Sequence, residues 1–155
     1  MFVLLRQLAR TRSRLALPRG EVPHSLALRH VDAGSCNGCE HEVGLATTPA
    51  YDLQRFGLDV VASPRHADVL LVTGAVTTRM AAALRTAYHA MPEPRVVAAL
   101  GDCALGCGLL GDRAEFVGAL DDVLPVDIRI PGCPPTPDAI AGHLLAWLDG
   151  TATTG

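Results

Sequence analysis

Three apolar runs in this chain each end in a glycine-bearing loop that carries cysteine, and this recurrence limits the available folds more than any other feature. The first, Val31 to Glu42 (VDAGSCNGCEHE), turns an apolar strand into a loop with Cys36 and Cys39 and opens toward a helix. The others are GDCALGCG, Gly101 to Gly108, with Cys103 and Cys107, and IPGCPPTP, Ile130 to Pro137, with Cys133. Thiols at strand ends far apart in the chain imply a sheet that gathers those ends around one shared metal site.

The intervening pattern supplies such a sheet. Strands are predicted at Ser25 to Val31, Leu58 to Ala62, Ala67 to Thr73, Arg95 to Leu100 and Val126 to Ile130. ADVLLVT is continuously apolar after Asp68, as suits a parallel strand buried on both faces. Helices are predicted from about Glu40, over Arg79 to Met91 behind an N-cap at Thr77 or Thr78, and over Pro137 to Leu148 behind Thr136. In the last, proline takes the first helical position and Gly150 follows the end. Strands alternating with helices give an α/β fold, a three-layer αβα sandwich on a mostly parallel sheet. In such folds the loops beyond the carboxyl ends of the strands make the binding site, and all three cysteine motifs fall there.

With 155 residues, nearly half of them apolar, the chain suits a single core. The net charge of −3 conceals a division. Residues 1 to 30 hold six arginines against Glu21, a surplus of five positive charges, which leaves the remainder with eight negative ones. Residues 1–23 read as a basic amphipathic N-terminal arm: Leu4, Leu5, Leu8 and Leu15 lie near helical spacing, Arg6, Arg10 and Arg14 fall on another side, and Pro18, Gly20 and Pro23 separate the arm from the body. It could rest on anionic lipid or a partner subunit, or be a solvated arm. Residues 151–155 read as a disordered tail. No apolar run approaches membrane-span length, and no secretory or twin-arginine signal is present, so a cytoplasmic protein is expected.

Five cysteines in a reducing compartment point to metal or redox chemistry rather than disulfides. CxxC alone serves zinc, thioredoxin-type exchange and iron–sulfur clusters alike. Three further cysteines at equivalent strand ends argue against a thioredoxin pair, and the single CxxC argues against zinc knuckles. Cys103, nearest its strand end, is the better ligand candidate of its pair, with Cys107 read as a small buried residue or spare thiol. No GxGxxG or Walker loop, nickel site, or nucleophile with a partnered base is recognisable. His24, His30, His41, His66, His89 and His143 show no metal spacing.

From about Val31 to Trp147, GSCNGC with Glu42, GDCA and PGCPP together resemble the small, cluster-carrying subunit family shared by [NiFe]-hydrogenases and respiratory complex I, the NADH-quinone oxidoreductase, where it is the 20 kDa subunit. The resemblance implies a flavodoxin-like domain, here residues 24–150, with Cys36, Cys39, Cys103 and Cys133 binding one [4Fe-4S] cluster. CNGC, where complex I subunits carry adjacent cysteines, resembles the membrane-bound hydrogenases of the formate hydrogenlyase type. Cys107 stands where that family usually has glycine. Glu42 matches a family acid that could couple proton movement to redox change, although a surface helix carboxylate is the plainer reading.

The expected function is an electron-transfer subunit of a multisubunit hydrogenase-type oxidoreductase, without a catalytic residue of its own. Its expected partners are a hydrogenase-type large subunit, a ferredoxin-like iron–sulfur subunit and the complex's membrane subunits. No nucleic acid is expected. Placement is cytoplasmic, peripheral on the inner face of the cell membrane through those partners. A complex I-like quinone reductase subunit is the alternative; from another class, a structural zinc protein would use Cys36, Cys39, Cys103 and Cys107.

Overall fold

The computed structural model describes residues 25–109 and 114–150, so the N-terminal arm and the five-residue tail lie outside the described residues. Seven strands run in chain order as β1 (Leu26–Asp32), β2 (Leu58–Val60), β3 (Val69–Thr73), β4 (Val76–Thr77), β5 (Val96–Leu100), β6 (Phe116–Gly118) and β7 (Ile128–Ile130). The helices are α1 (Gly38–Ala46), α2 (Thr78–Ala90) and α3 (Pro137–Leu148).

β2, β1, β3, β5 and β7 form, in that order, a parallel five-stranded sheet. Counting only its own strands, the order is 2-1-3-4-5, the doubly wound arrangement expected for a flavodoxin-like domain. β3 and β5 are buried at every residue, because helices cover both sides. Alternation along the strands divides the core in two. Leu28, Leu71, Ala98 and Ile130 join Val43 of α1 and Ile140 and Leu144 of α3 on one face. Leu70, Val72, Val97 and Ala99 join Ala81 and Leu84 of α2, with Leu120 and Leu124, on the other. Each fully buried leucine or isoleucine contributes about 1.5–3 kcal/mol relative to exposure.

The caps anticipated from sequence close the helix starts. Thr77 accepts a hydrogen bond from Met80 N, and Thr136 accepts one from Ala139 N. α1 starts earlier than expected, at Gly38 inside the CxxC, because Asn37 adopts a left-handed conformation (φ 67°) that turns the chain sharply into the helix. β4 and β6 form a separate antiparallel ribbon that was not anticipated. β1, β5 and β7 all end at the same edge of the sheet, with β3 between β1 and β5, and each leads into a cysteine loop.

Candidate metal centre

The loop after β1 is shaped by polar side chains. Asp32 Oδ1 accepts hydrogen bonds from Gly34 N and Ser35 N, both at 2.8 Å, which turns the chain at the strand end. Ser35 Oγ then accepts from Asn37 N at 3.0 Å and donates to the Glu40 carboxylate. The turn is pinned to the neighbouring strand by Ala33 N donating to Thr73 O. Cys36 is left exposed, while Cys39, on the first turn of α1, is half-buried against the core.

The loops after β5 and β7 are held mainly by backbone. Gly101 N donates to Ile130 O at 2.8 Å and Asp102 N to Gly132 O at 2.9 Å, so inter-strand pairing continues past the strand ends. Asp102 Oδ1 accepts from Gly132 N at 2.7 Å, and Asp102 O from Cys107 N at 2.9 Å. Two glycines give the sulfurs room. Gly101 has φ +90°, and a Cβ there would stand 2.6 Å from Cys39 Sγ; a Cβ at Gly108 would stand 2.3 Å from Cys103 Sγ. Pro134 closes on the first loop, within 4 Å of where a Gly38 Cβ would lie, and that point is 3.5 Å from Cys36 Sγ.

The three loops therefore meet. The Cys39 thiol is pushed up to about 12, first by burial, then by the charges of Glu40, Cys103, Cys36 and Cys133. Cys107 is not among the groups that act on Cys39; its exposed thiol is turned to Leu105 O at 3.7 Å. Of the two sequence readings of this residue, a small buried one or a spare thiol, its exposure removes the first. Cys103 is half-buried, and Cys133 is exposed between the exposed Pro131 and Pro134.

Among the described residues, no three His, Cys, Asp or Glu side chains are grouped as a site for a metal ion. A zinc ion holds sulfur at about 2.3 Å, which sets its thiolates about 4 Å apart. A multi-metal cluster is larger and takes thiolates that stand farther apart. Three thiols that act electrostatically on the fourth, Cys39, with a cradle kept free of Cβ atoms, fit a cluster as donor set.

The other candidates lie elsewhere. Glu42, on α1, is half-buried and has no hydrogen-bond or ion-pair partner among the described residues. Glu40, two residues before it, accepts hydrogen bonds from both Ser35 and Thr73. His143 Nδ1 meets Ala139 O, and His41, His66 and His89 are exposed. His30 Nε2 lies 3.0 Å from Thr73 Oγ1.

Residues 36–147 match the family described as NADH ubiquinone oxidoreductase, 20 Kd subunit. The chain is 47% identical over 123 residues to a protein described as probable membrane-bound hydrogenase subunit mbhJ of Pyrococcus furiosus, covering 79% of this chain and 74% of that one. It is 44% identical over 119 residues to formate hydrogenlyase subunit 7 of Escherichia coli, covering 77% of this chain but only 47% of that relative. Among solved structures, a chain of the archaeal membrane-bound sulfane sulfur reductase superposes with a TM-score of 0.71 at 33% identity, over 82% of this chain and 70% of that one. With most of its length matched and its thiol loops inside the match, the chain belongs to the family of the NADH ubiquinone oxidoreductase 20 kDa subunit.

Proposed function

We propose that this chain is an electron-transfer subunit of a hydrogenase-type oxidoreductase complex, holding one [4Fe-4S] cluster on Cys36, Cys39, Cys103 and Cys133. The observation that carries the reading is the meeting of these thiols at the carboxyl edge of the sheet, three of them acting on the Cys39 sulfur and Cys107 excluded. The chemistry such a cluster supplies is one-electron transfer, at a potential set by burial and by hydrogen bonds to sulfur.

The chain's own residues bind and shield it. The thiols ligate as thiolates, so Cys39 gives up a proton it otherwise keeps to high pH. Gly101 and Gly108 leave space for the sulfurs, and the core behind Cys39 excludes water from one side. Cys36 and Cys133 lie on the exposed side, where a partner would receive or deliver electrons. That partner is a hydrogenase-type large subunit, with a ferredoxin-like iron–sulfur subunit and membrane subunits completing the complex. No helix among the described residues is long and apolar enough to cross a membrane. Attachment to the inner face of the cell membrane runs through those subunits. The body spans residues 24–150, with residues 1–23 as a separate basic arm and 151–155 as a tail. Glu42 is a candidate for proton coupling at the partner-facing side. The family description favours a second reading, a quinone reductase subunit of the complex I type holding the same cluster.

Anaerobic purification of the chain with its partner subunits tests the proposal. It should give brown protein, about four irons per chain and a reduced-state EPR signal. Cys133→Ser should lose the iron and Cys107→Ser keep it; stoichiometric zinc without iron would replace the proposal with the structural reading.

A further inference from the structure

Beneath the first turn of α1 lies a polar chain that the electron-transfer reading does not use. Thr73, at the end of β3, is fully buried, and its hydroxyl donates to Glu40 Oε1. Because that proton is committed to the carboxylate, the 3.0 Å contact with His30 Nε2 requires the imidazole to donate. Ser35 donates to the other oxygen, Glu40 Oε2, and its Oγ also takes the N–H of Asn37 inside the CxxC loop. Glu40 is therefore clamped through both oxygens to β3 and to the cysteine loop, one residue from Cys39.

Hydroxyl donors hold a carboxylate without cancelling its charge. The arginines with described ion pairs, Arg55, Arg95 and Arg129, are matched to Asp52, Glu93 and Asp121. Glu40 has only His30, at 3.7 Å, and burial lowers the pKa of that imidazole and so favours its neutral form. The side chain of Glu40 is only 21% exposed, so water screens it poorly.

We propose that Glu40, fixed by Ser35 and Thr73 with His30 behind, is a charge that lowers the reduction potential of the centre at Cys39. An added electron there faces a fixed negative neighbour, held one residue from Cys39 by the Ser35 and Thr73 hydroxyls and poorly reached by water. Thr73 and His30 are positioning residues, acting through Glu40.

The inference rests on the proposed cluster, and an EPR-monitored redox titration of the purified complex tests the two separately. Glu40→Gln keeps the size and hydrogen-bonding reach of the side chain but removes its charge. Its midpoint should move to more positive potential at unchanged iron content, while Glu40→Asp and Thr73→Ser stay near the parent. Should Glu40→Gln fail to take up iron, Thr73→Val poses the same question: freed of one tether, the carboxylate turns toward water and the midpoint moves the same way by less. A parent complex without cluster iron overturns both proposals. A loaded Glu40→Gln, or in its place a loaded Thr73→Val, titrating at or below the parent midpoint overturns this one alone.

Discussion

The two halves of the thiol site are built on different principles. The half after β1 is organised by side chains: Asp32, Ser35, Glu40 and Thr73 fix the CNGC turn through directed hydrogen bonds. The half formed by the loops after β5 and β7 is organised by backbone and by missing Cβ atoms, at Gly101 and Gly108, with Asp102 the main side-chain fastener. A site held by side chains can be retuned one residue at a time. A site held by main-chain registration either fits or does not.

The sharpest way to break that contrast is to add one carbon to the second half. Gly101→Ala and Gly108→Ala should each abolish iron incorporation in the purified complex, since strain and overlap cost about 1–3 kcal/mol apiece and fall directly on Cys39 and Cys103. Partial loading at either position would show that the loops yield more than their backbone pairing implies. Next in size, Asp102→Ala leaves Gly132 N without its partner and should cost about 1–3 kcal/mol in urea denaturation, where Asp102→Asn, still an acceptor, costs less. Ser35→Ala, in the side-chain half, should cost about 1 kcal/mol and leave iron content unchanged.

Alkylation of the cofactor-free chain probes the meeting point of the halves. Iodoacetamide at neutral pH should modify the exposed Cys36, Cys107 and Cys133 well before Cys39, whose rate should keep rising toward pH 12. The smallest expected effect concerns His30. Burial lowers its folded-state pKa, so the unfolded chain binds more protons near and below pH 6.5, and stability falls as the solution is acidified through that range. His30→Gln should flatten that part of the urea midpoint against pH; an unchanged slope would assign the acid sensitivity to other groups.

The sheet was legible in the sequence because its signals are local: apolar runs of strand length, threonine caps at Thr77 and Thr136, proline and glycine at the helix ends. The start of α1 was placed two residues late because Asn37-Gly38 carries a turn signal, and here that left-handed turn leads straight into the helix. The ribbon of β4 and β6 escaped because Val76–Thr77 is too short to show a period, and its pairing with Phe116–Gly118 spans some forty residues. At the site, the cysteine loops were visible from their place after apolar runs. The role of Glu40 was not, since Ser35 and Thr73 reach it from separate elements and Glu42 carries the same chemistry two residues on. The only trace was a threonine closing the otherwise apolar VLLVT of β3.

β7 lies at the outer margin of the sheet, and Cys133 hangs from its end. A polypeptide interrupted before residue 128 would lose that thiol together with α3, whose Ile140 and Leu144 cover one face of the sheet. Under the proposed ligand set the fourth ligand and one covering layer of the core are therefore supplied by the same segment of chain.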